Sequence, residues 1–418
     1  MTDKIKVFTI SDHPLMASGV AHTMRTIIGA LLKSGKFTVY SFGGAIKHND
    51  YSTIRTEEYG DDWLIQPVDG FGNPEMVRSF LRTQRPDVLL FQSDPRFFQW
   101  LLEISNEIRP MIPMAWYGIW DNYPYPIFNE AIWGSNDQFI SISKVTHDIV
   151  STVCPELENA YIPHSVDNKL FKPIPREDLT SFAEQYFPTL EEDRFVVYWN
   201  NRNARRKMSG SLVFWWKDFL DKIGRDKAVL IMHTNPTDMN GQNLNSIKSD
   251  LGLTDQELIL DPETVTQDFL AYSYNLADVT INIADAEGFG LSTLESLSCG
   301  VPIIVNMTGG LQEQVTDGKD WFGVGIEPAS RAIVGTQDIP YIYEDRVSGE
   351  DVVNALLKMW EMSDKQRKKV GELGRQHVKN NYNFEAHEQQ WIDLITDLHE
   401  KHGSWPTKLY KGWELLEV

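Results

Sequence analysis

Glu287 and Glu295 stand eight residues apart around the turn Gly288-Phe289-Gly290, and their types and spacing suit the holding of a sugar nucleotide. Carboxylates accept hydrogen bonds from hydroxyls, which is how proteins hold sugars and riboses. The run Asp278-Val279-Thr280-Ile281-Asn282-Ile283 reads as a buried strand of a parallel sheet. Ser292 to Leu297 then takes helical spacing, and Gly300-Val301-Pro302 ends it. Glu287 is therefore expected on the loop at a strand's carboxyl end, where open α/β sheets bind ligands. Glu295 falls about a turn and a half into the helix. Amides at that helix start, from Gly288, Phe289, Gly290 and Leu291, favour an anion such as a diphosphate. Either glutamate alone would read as a surface charge; the arrangement argues otherwise.

Breaking a sugar–diphosphate bond requires stabilising the departing diphosphate, by a metal ion or by fixed cations and amides. No Asp-x-Asp pair stands at a strand end in a metal-binding setting, so neither a metal nor a cofactor is expected. Arg202 and Lys207 follow the buried-strand run Phe195-Val196-Val197-Tyr198-Trp199 and could supply the charge. The first is a bidentate fork and the second a point charge. Arg205 and Arg206 between them read as a basic surface loop. Gly309-Gly310, after the next strand, brings backbone close to the donor or merely shapes the start of a helix. Gly19, in the loop Ser11 to Val20, reads as a glycine at a helix start. His22 and His164 read as histidines satisfied by local hydrogen bonds.

These segments together resemble the E-x7-E signature of GT4-type (group 1) retaining glycosyltransferases. The match runs from Glu287-Gly288-Phe289-Gly290 to Glu295 and on through Gly300-Val301-Pro302-Ile303-Ile304-Val305. Asn201 to Lys207 resembles that family's Arg-x4-Lys diphosphate clamp. Tyr161-Ile162-Pro163-His164-Ser165-Val166-Asp167, with Phe171-Lys172-Pro173, resembles the element closing its first domain. The resemblance covers roughly residues 160–320 most firmly. It implies an α/β chain of GT-B fold, two Rossmann-like domains with parallel sheets facing a cleft. It also implies a nucleotide-sugar donor, UDP-linked, transferred with retention and without a metal. By carry-over, Glu287 would hold the sugar and Glu295 the ribose. The loop Ser11 to Val20 resembles the family's glycine-bearing loop, which implies Gly19 as backbone approaching the diphosphate or acceptor. The chain departs from the pattern at Met208-Ser209, where a glycine commonly follows the lysine. It departs again along Met114 to Asp121, which lacks the usual histidine; Tyr117 or Asp121 would meet the sugar instead. Asn200-Asn201-Arg202-Asn203 and Asp121 to Pro126 are similar to glycosyltransferases of T4-like tailed phages. A hydroxymethylated base of phage DNA is thus one candidate acceptor, beside a glycan, a lipid or a small molecule. Other classes sharing the features are a nucleotide-sugar epimerase and a non-catalytic nucleotide-sugar-binding protein.

The elements that must position these residues form two series. At 418 residues the chain is long enough for two α/β domains. In the first series, strands at 5–10, 37–42, 87–92, 112–119 and 138–142 alternate with helices near 20–33, 75–84, 97–108 and 144–153. In the second, strands at 195–199, 228–232, 257–260, 279–283, 302–306 and 322–326 are followed by helical spacing over 351–400. The expected division is a first domain at 1–172, a linker at 173–193 and a second domain at 194–385. A helical tail, 386–418, is expected to pack back on the first domain. The segment 336–350 matches no element. Aromatics at 116–128, too dense and proline-broken to be all core, form a candidate acceptor wall. The net charge of −20 disfavours unspecific binding to long nucleic acid. Cys154 and Cys299, placed in different domains, read as buried thiols of a reducing compartment. Without an apolar leader or a run of membrane length, the chain reads as cytoplasmic, with no membrane anchor.

Overall fold

The computed structural model describes residues 4–409 apart from 192, 263 and 264. The chain divides into two compact units, residues 1–164 with 385–418, and residues 165–384.

In the first unit the strands are β1 (Ile5–Asp12), β2 (Phe37–Gly44), β3 (Ile54–Arg55), β4 (Trp63–Pro67), β5 (Val88–Gln92), β6 (Met114–Gly118), β7 (Gln138–Ser141) and β8 (Glu158–Tyr161). They form one sheet in the order β3-β4-β2-β1-β5-β6-β7-β8, with only the β3–β4 pair antiparallel. The short β3 and β8 are polar and carry little apolar pattern, so only the central strands are conspicuous in the sequence. Ser18 caps the helix Gly19–Lys33, its hydroxyl accepting from the Ala21 amide. The C-terminal helix Phe384–His402 buries Trp391 edge-on against Tyr117, with ring centroids 4.8 Å apart. Further on, the Trp405 amide donates to Met111 O and its indole to Pro86 O. Residues 410–418 of the expected tail lie outside the described residues.

The second unit holds β9 (Phe195–Asn200), β10 (Ala228–His233), β11 (Leu258–Asp261), β12 (Val279–Asn282), β13 (Ile303–Asn306) and β14 (Gly323–Ile326). Their order is β11-β10-β9-β12-β13-β14, parallel throughout. Both faces of the inner strands β9, β10, β12 and β13 are covered, which is why they read as unbroken apolar runs. Val197, Trp199, Ile281 and Ile304 anchor the core, each contributing about 1.5–3 kcal/mol of burial. The order reverses between β9 and β12, so the loops after those strands flank a topological switch point. The unplaced 336–350 segment contains β16 (Ile342–Arg346), which pairs antiparallel with β15 (Ser330–Val334) as a separate hairpin. Alternation there is weak because the two buried positions of the hairpin, Glu344 and Asp345, are adjacent acids rather than alternating apolar residues.

The 173–193 stretch is not a free linker. It carries the helix Arg176–Tyr186, whose Phe182 packs on Phe269 and Tyr272 of the helix Gln267–Leu276. The first unit also ends earlier than residue 172. Val166 donates to Tyr382 O, Asn168 to the Ser298 hydroxyl and Ile174 to the Asn275 side chain, and these bonds bind 165–174 to the second unit. Among the described residues, no helix is long and apolar enough to cross a membrane.

Candidate active site

Three loops at the carboxyl ends of β9, β12 and β13 bring Lys207, Glu287 and Gly310 together. After β9 the chain makes a single tight turn, Arg205–Lys207, and then enters the helix Ser209–Ile223. Between them Met208 sits at φ +57°, ψ +27°, the left-handed conformation that glycine adopts without cost. The position where a glycine was missed is therefore one where glycine's geometry is in force. The turn is fixed from below by Asn203, wholly buried, whose amide donates to Gln242 O at 2.7 Å and accepts from the Ser209 hydroxyl at 2.6 Å. A Cβ on Gly241 would meet Asn203 Oδ1 at 2.1 Å, so the two loops touch backbone to side chain.

Lys207 and Glu287 form an ion pair, both almost fully buried. The Asn282 amide donates to the same Glu287 oxygen at 3.3 Å, and Arg206 Nη1 lies 3.8 Å from the other. Burial opposes ionisation of Glu287, but the charges of Lys207 and Arg206 outweigh it and bring the carboxyl down to about 2. Glu287 is thus an obligate acceptor at any working pH. Arg206 also donates to Ala286 O at 2.6 Å, while its own carbonyl accepts from the Asp285 amide.

Arg202 goes elsewhere. Its guanidinium is two-thirds exposed and pairs with Asp238 at 2.7 Å, holding that carboxyl well below the usual range. The cation that joins Lys207 beside Glu287 is Arg206, read from sequence as part of a surface loop. Sequence spacing could not separate them, because the turn at 205–207 decides which arginine faces the glutamate.

The helix Leu291–Ser298 starts at Gly290, φ +95°, where a Cβ would lie 2.6 Å from Leu311. It ends in a Schellman motif, with Gly300 N donating to Leu297 O and Val301 N to Ser296 O. Glu295, partly buried, accepts a 2.6 Å bond from the Tyr274 hydroxyl, which itself accepts from Asn200 at 2.9 Å. Burial pushes the Glu295 carboxyl up to about 7, and the Tyr274 bond restrains the rise. Gln314 holds the glycine turn, donating to Phe289 O and Gly290 O and accepting from Thr293. Neither Tyr274 nor Gln314 has a sequence signal; both are recruited from elements packed alongside. The Gly310 amide donates to Glu287 O, and a Cβ there would meet Phe289 Cα at 2.6 Å. Gly310 stands immediately before the helix Leu311–Val315, and the geometry there is a close packing of one loop on the other. Gly309 precedes it at φ +47°.

The first-unit candidates separate. Tyr117 is wholly buried, its hydroxyl donating to Ile162 O at 3.1 Å and meeting His164 Nδ1 at 2.7 Å. A residue of β6 enclosed on both faces cannot reach a ligand, so the expected sugar contact is not made by Tyr117. Asp121 follows β6 and is partly exposed, and Gly19 is an exposed first residue of its helix. His22 lies 3.3 Å from Arg25 and is lowered to about 4 by burial and that charge. The aromatic run splits. Trp116, Tyr117 and Trp120 are core, whereas Tyr125 and Ile127 reach the surface, where Tyr123 and Tyr125 both donate to Asp148. Cys154 and Cys299 are buried free thiols.

The class that this architecture defines is the GT-B fold. Sucrose-phosphate synthase from Thermosynechococcus elongatus superposes with a TM-score of 0.75 at 17% identity, over 95% of this chain and 100% of that one. HepE of Anabaena, in complex with UDP and glucose, does so with a TM-score of 0.68 at 14% identity, over 94% and 100%. Residues 262–376, which include both glutamates, match the family model for glycosyl transferases group 1. D-inositol 3-phosphate glycosyltransferase of Acidothermus cellulolyticus is 34% identical over 122 residues, 29% of this chain. The matched stretch covers 27% of that relative's length.

Proposed function

We propose that this chain is a retaining glycosyltransferase that moves a sugar from a UDP-linked donor to an acceptor hydroxyl without a metal ion or cofactor. The observation that carries the reading is the buried Lys207–Glu287 pair beside the glycine turn, with Glu287 inside the segment 262–376 that matches group 1 glycosyltransferases. Lys207 and Arg206 are the fixed cations for the departing diphosphate, together with the amides of 288–291. Glu287 accepts from sugar hydroxyls, and Glu295 in its ionised form accepts from the ribose. The bond between the anomeric carbon and the phosphate oxygen breaks as the bond to the acceptor oxygen forms. The acceptor's proton passes to the departing phosphate oxygen, so the products are a glycoside and UDP.

A small phosphorylated polyol or sugar is favoured as acceptor. One relative is named for inositol 3-phosphate and one structural neighbour for sucrose phosphate. A hydroxymethylated base of phage DNA draws no support from those comparisons, and a net charge of −20 opposes it. The reaction would take place in the cytoplasm, where nucleotide sugars are made.

The test is incubation with UDP-sugars and, separately, inositol phosphates, sugar phosphates and hydroxymethylcytosine DNA, read by mass spectrometry in buffer with and without EDTA. Glycoside formation with stoichiometric UDP in both buffers is expected. UDP-sugar binding without turnover on any acceptor would make the chain a binding protein. Isomerisation of the sugar without release of UDP would make it an epimerase.

A further inference from the structure

The β15–β16 hairpin joins neither parallel sheet, and Arg331 and Ile333 on its first strand are exposed. Yet two consecutive carboxylates on its second strand, Glu344 and Asp345, are buried to 4% and 2% exposure. Burying two acids side by side requires partners for each; Arg331 and Arg346 of the hairpin supply some, and the three loops of the candidate site supply the others. Glu344 takes both arms of the Arg205 guanidinium, one at 3.2 Å, and accepts from Arg346 at 3.1 Å. The Asp345 amide donates to Asp285 O at 2.8 Å, and its carbonyl accepts from Asn306 at 2.6 Å. Its carboxylate accepts from Thr308 at 2.9 Å and from Arg331 at 2.8 Å.

The anchor points share a spacing. Arg205 is two residues before Lys207, Asp285 two before Glu287, and Thr308 two before Gly310, whose amide holds the Glu287 carbonyl. One residue pair thus ties the loops after β9, β12 and β13 to each other, each two residues before Lys207, Glu287 or the Gly310 amide that holds Glu287. We propose that Glu344 and Asp345 are positioning residues, through which the hairpin sets the geometry of the diphosphate site. Neither touches the donor. They act through Arg205, the Asp285 backbone and Thr308. The inference rests on the donor-site reading above. Its size follows from the sensitivity of bound geometry, where a shift of about 1 Å can cost on the order of 10²-fold.

The experiment is a double-mutant cycle between Arg205→Gln and Glu344→Gln, with Asp345→Asn as an independent third variant. UDP affinity is read by calorimetry on the full-length chain, and thermal unfolding of each protein confirms a folded sample at the assay temperature. Arg205→Gln and Glu344→Gln are each expected to weaken UDP binding about tenfold, and the double variant no more than either, because both substitutions sever one link. Asp345→Asn, which keeps its backbone bonds, should weaken binding to a smaller degree. A merely structural ion pair would lower the unfolding midpoint and leave the affinity of the folded protein unchanged, which overturns the proposal. So would a double variant whose loss is the product of the singles, since Arg205 would then act on the nucleotide directly. Wild-type protein that binds no UDP removes the donor reading and the hairpin's role together. Wild type that binds UDP, with all variants at its level, removes the hairpin's role alone.

Discussion

Lys207 and Glu287 are 80 residues apart in sequence and meet as a buried ion pair, with Asn282 on one carboxylate oxygen and Arg206 near the other. The pair couples the loops that follow two neighbouring strands, β9 and β12. Its removal should therefore register both in stability and in catalysis, and the two can be separated.

Lys207→Met leaves Glu287 buried with its strongest partner gone and should cost about 3 kcal/mol in urea unfolding of the second unit. Adding Glu287→Gln removes the stranded charge and should recover most of that loss. Transfer should stay depressed by ~10²–10³-fold in both proteins, because the electrostatic stabiliser is absent from each. A double variant as unstable as the single would mean that Glu287 is held by its other partners.

The two arginines should differ. Arg206→Gln removes the cation beside Glu287 and should lower kcat/KM by at least tenfold. Arg202→Gln breaks only an exposed pair with Asp238 and should stay within about threefold of wild type. Steady-state kinetics with the donor at fixed acceptor decide it; the reverse ranking would return Arg202 to the clamp.

Glu295 should impose a pH dependence on nucleotide binding. Its carboxyl is raised from 4.5 to about 7, so near neutrality the free protein is part protonated. A carboxylate is the better acceptor for ribose hydroxyls, so UDP affinity should strengthen as pH rises through 7. Folding runs the opposite way. A group that binds its proton more tightly when folded contributes stability in full below 4.5, and this is lost as pH rises through about 7. Glu295→Gln should flatten both trends, and comparing the two proteins cancels the titration of UDP itself. Tyr274→Phe, which removes the bond that restrains the shift, should move the midpoint higher. A Glu295→Gln protein with the wild-type pH profile would exclude this carboxyl.

Glu287 has the reverse sign. Its carboxyl is lowered from 4.5 to about 2, so the stability it contributes is full above 4.5 and is lost as pH falls toward 2. Acid unfolding of Glu287→Gln should therefore be less steep over that window than that of wild type, as followed by circular dichroism.

Met208 offers a test of backbone strain. Met208→Ala and Met208→Gly both delete its packing against the core, but only glycine relieves the left-handed backbone. Met208→Gly should be more stable than Met208→Ala by about 1 kcal/mol in denaturant titrations. Equal stabilities would mean that the φ of +57° carries no cost here.

The sequence by itself determined the elements whose signals are local. The central strands of both sheets are long apolar runs because they are covered on both faces, and the helix at 291–298 shows its own end in Gly300-Val301-Pro302. The placement of Glu287 after β12 and Glu295 within the next helix follows from that spacing alone. Tertiary structure decided what depends on neighbours distant in the chain. It chose Arg206 over Arg202 beside Glu287, because the direction of an arginine is set by a turn and by Asp238, 36 residues further on. It withdrew Tyr117 into the core, since a strand residue at a sheet's carboxyl end reads the same whether a helix covers it or not. It supplied Tyr274, Gln314 and the Glu344–Asp345 pair, whose roles come from packing beside the site. A buried charge or carbonyl needs a partner in space, and nothing in the order of residues says which distant side chain will be there.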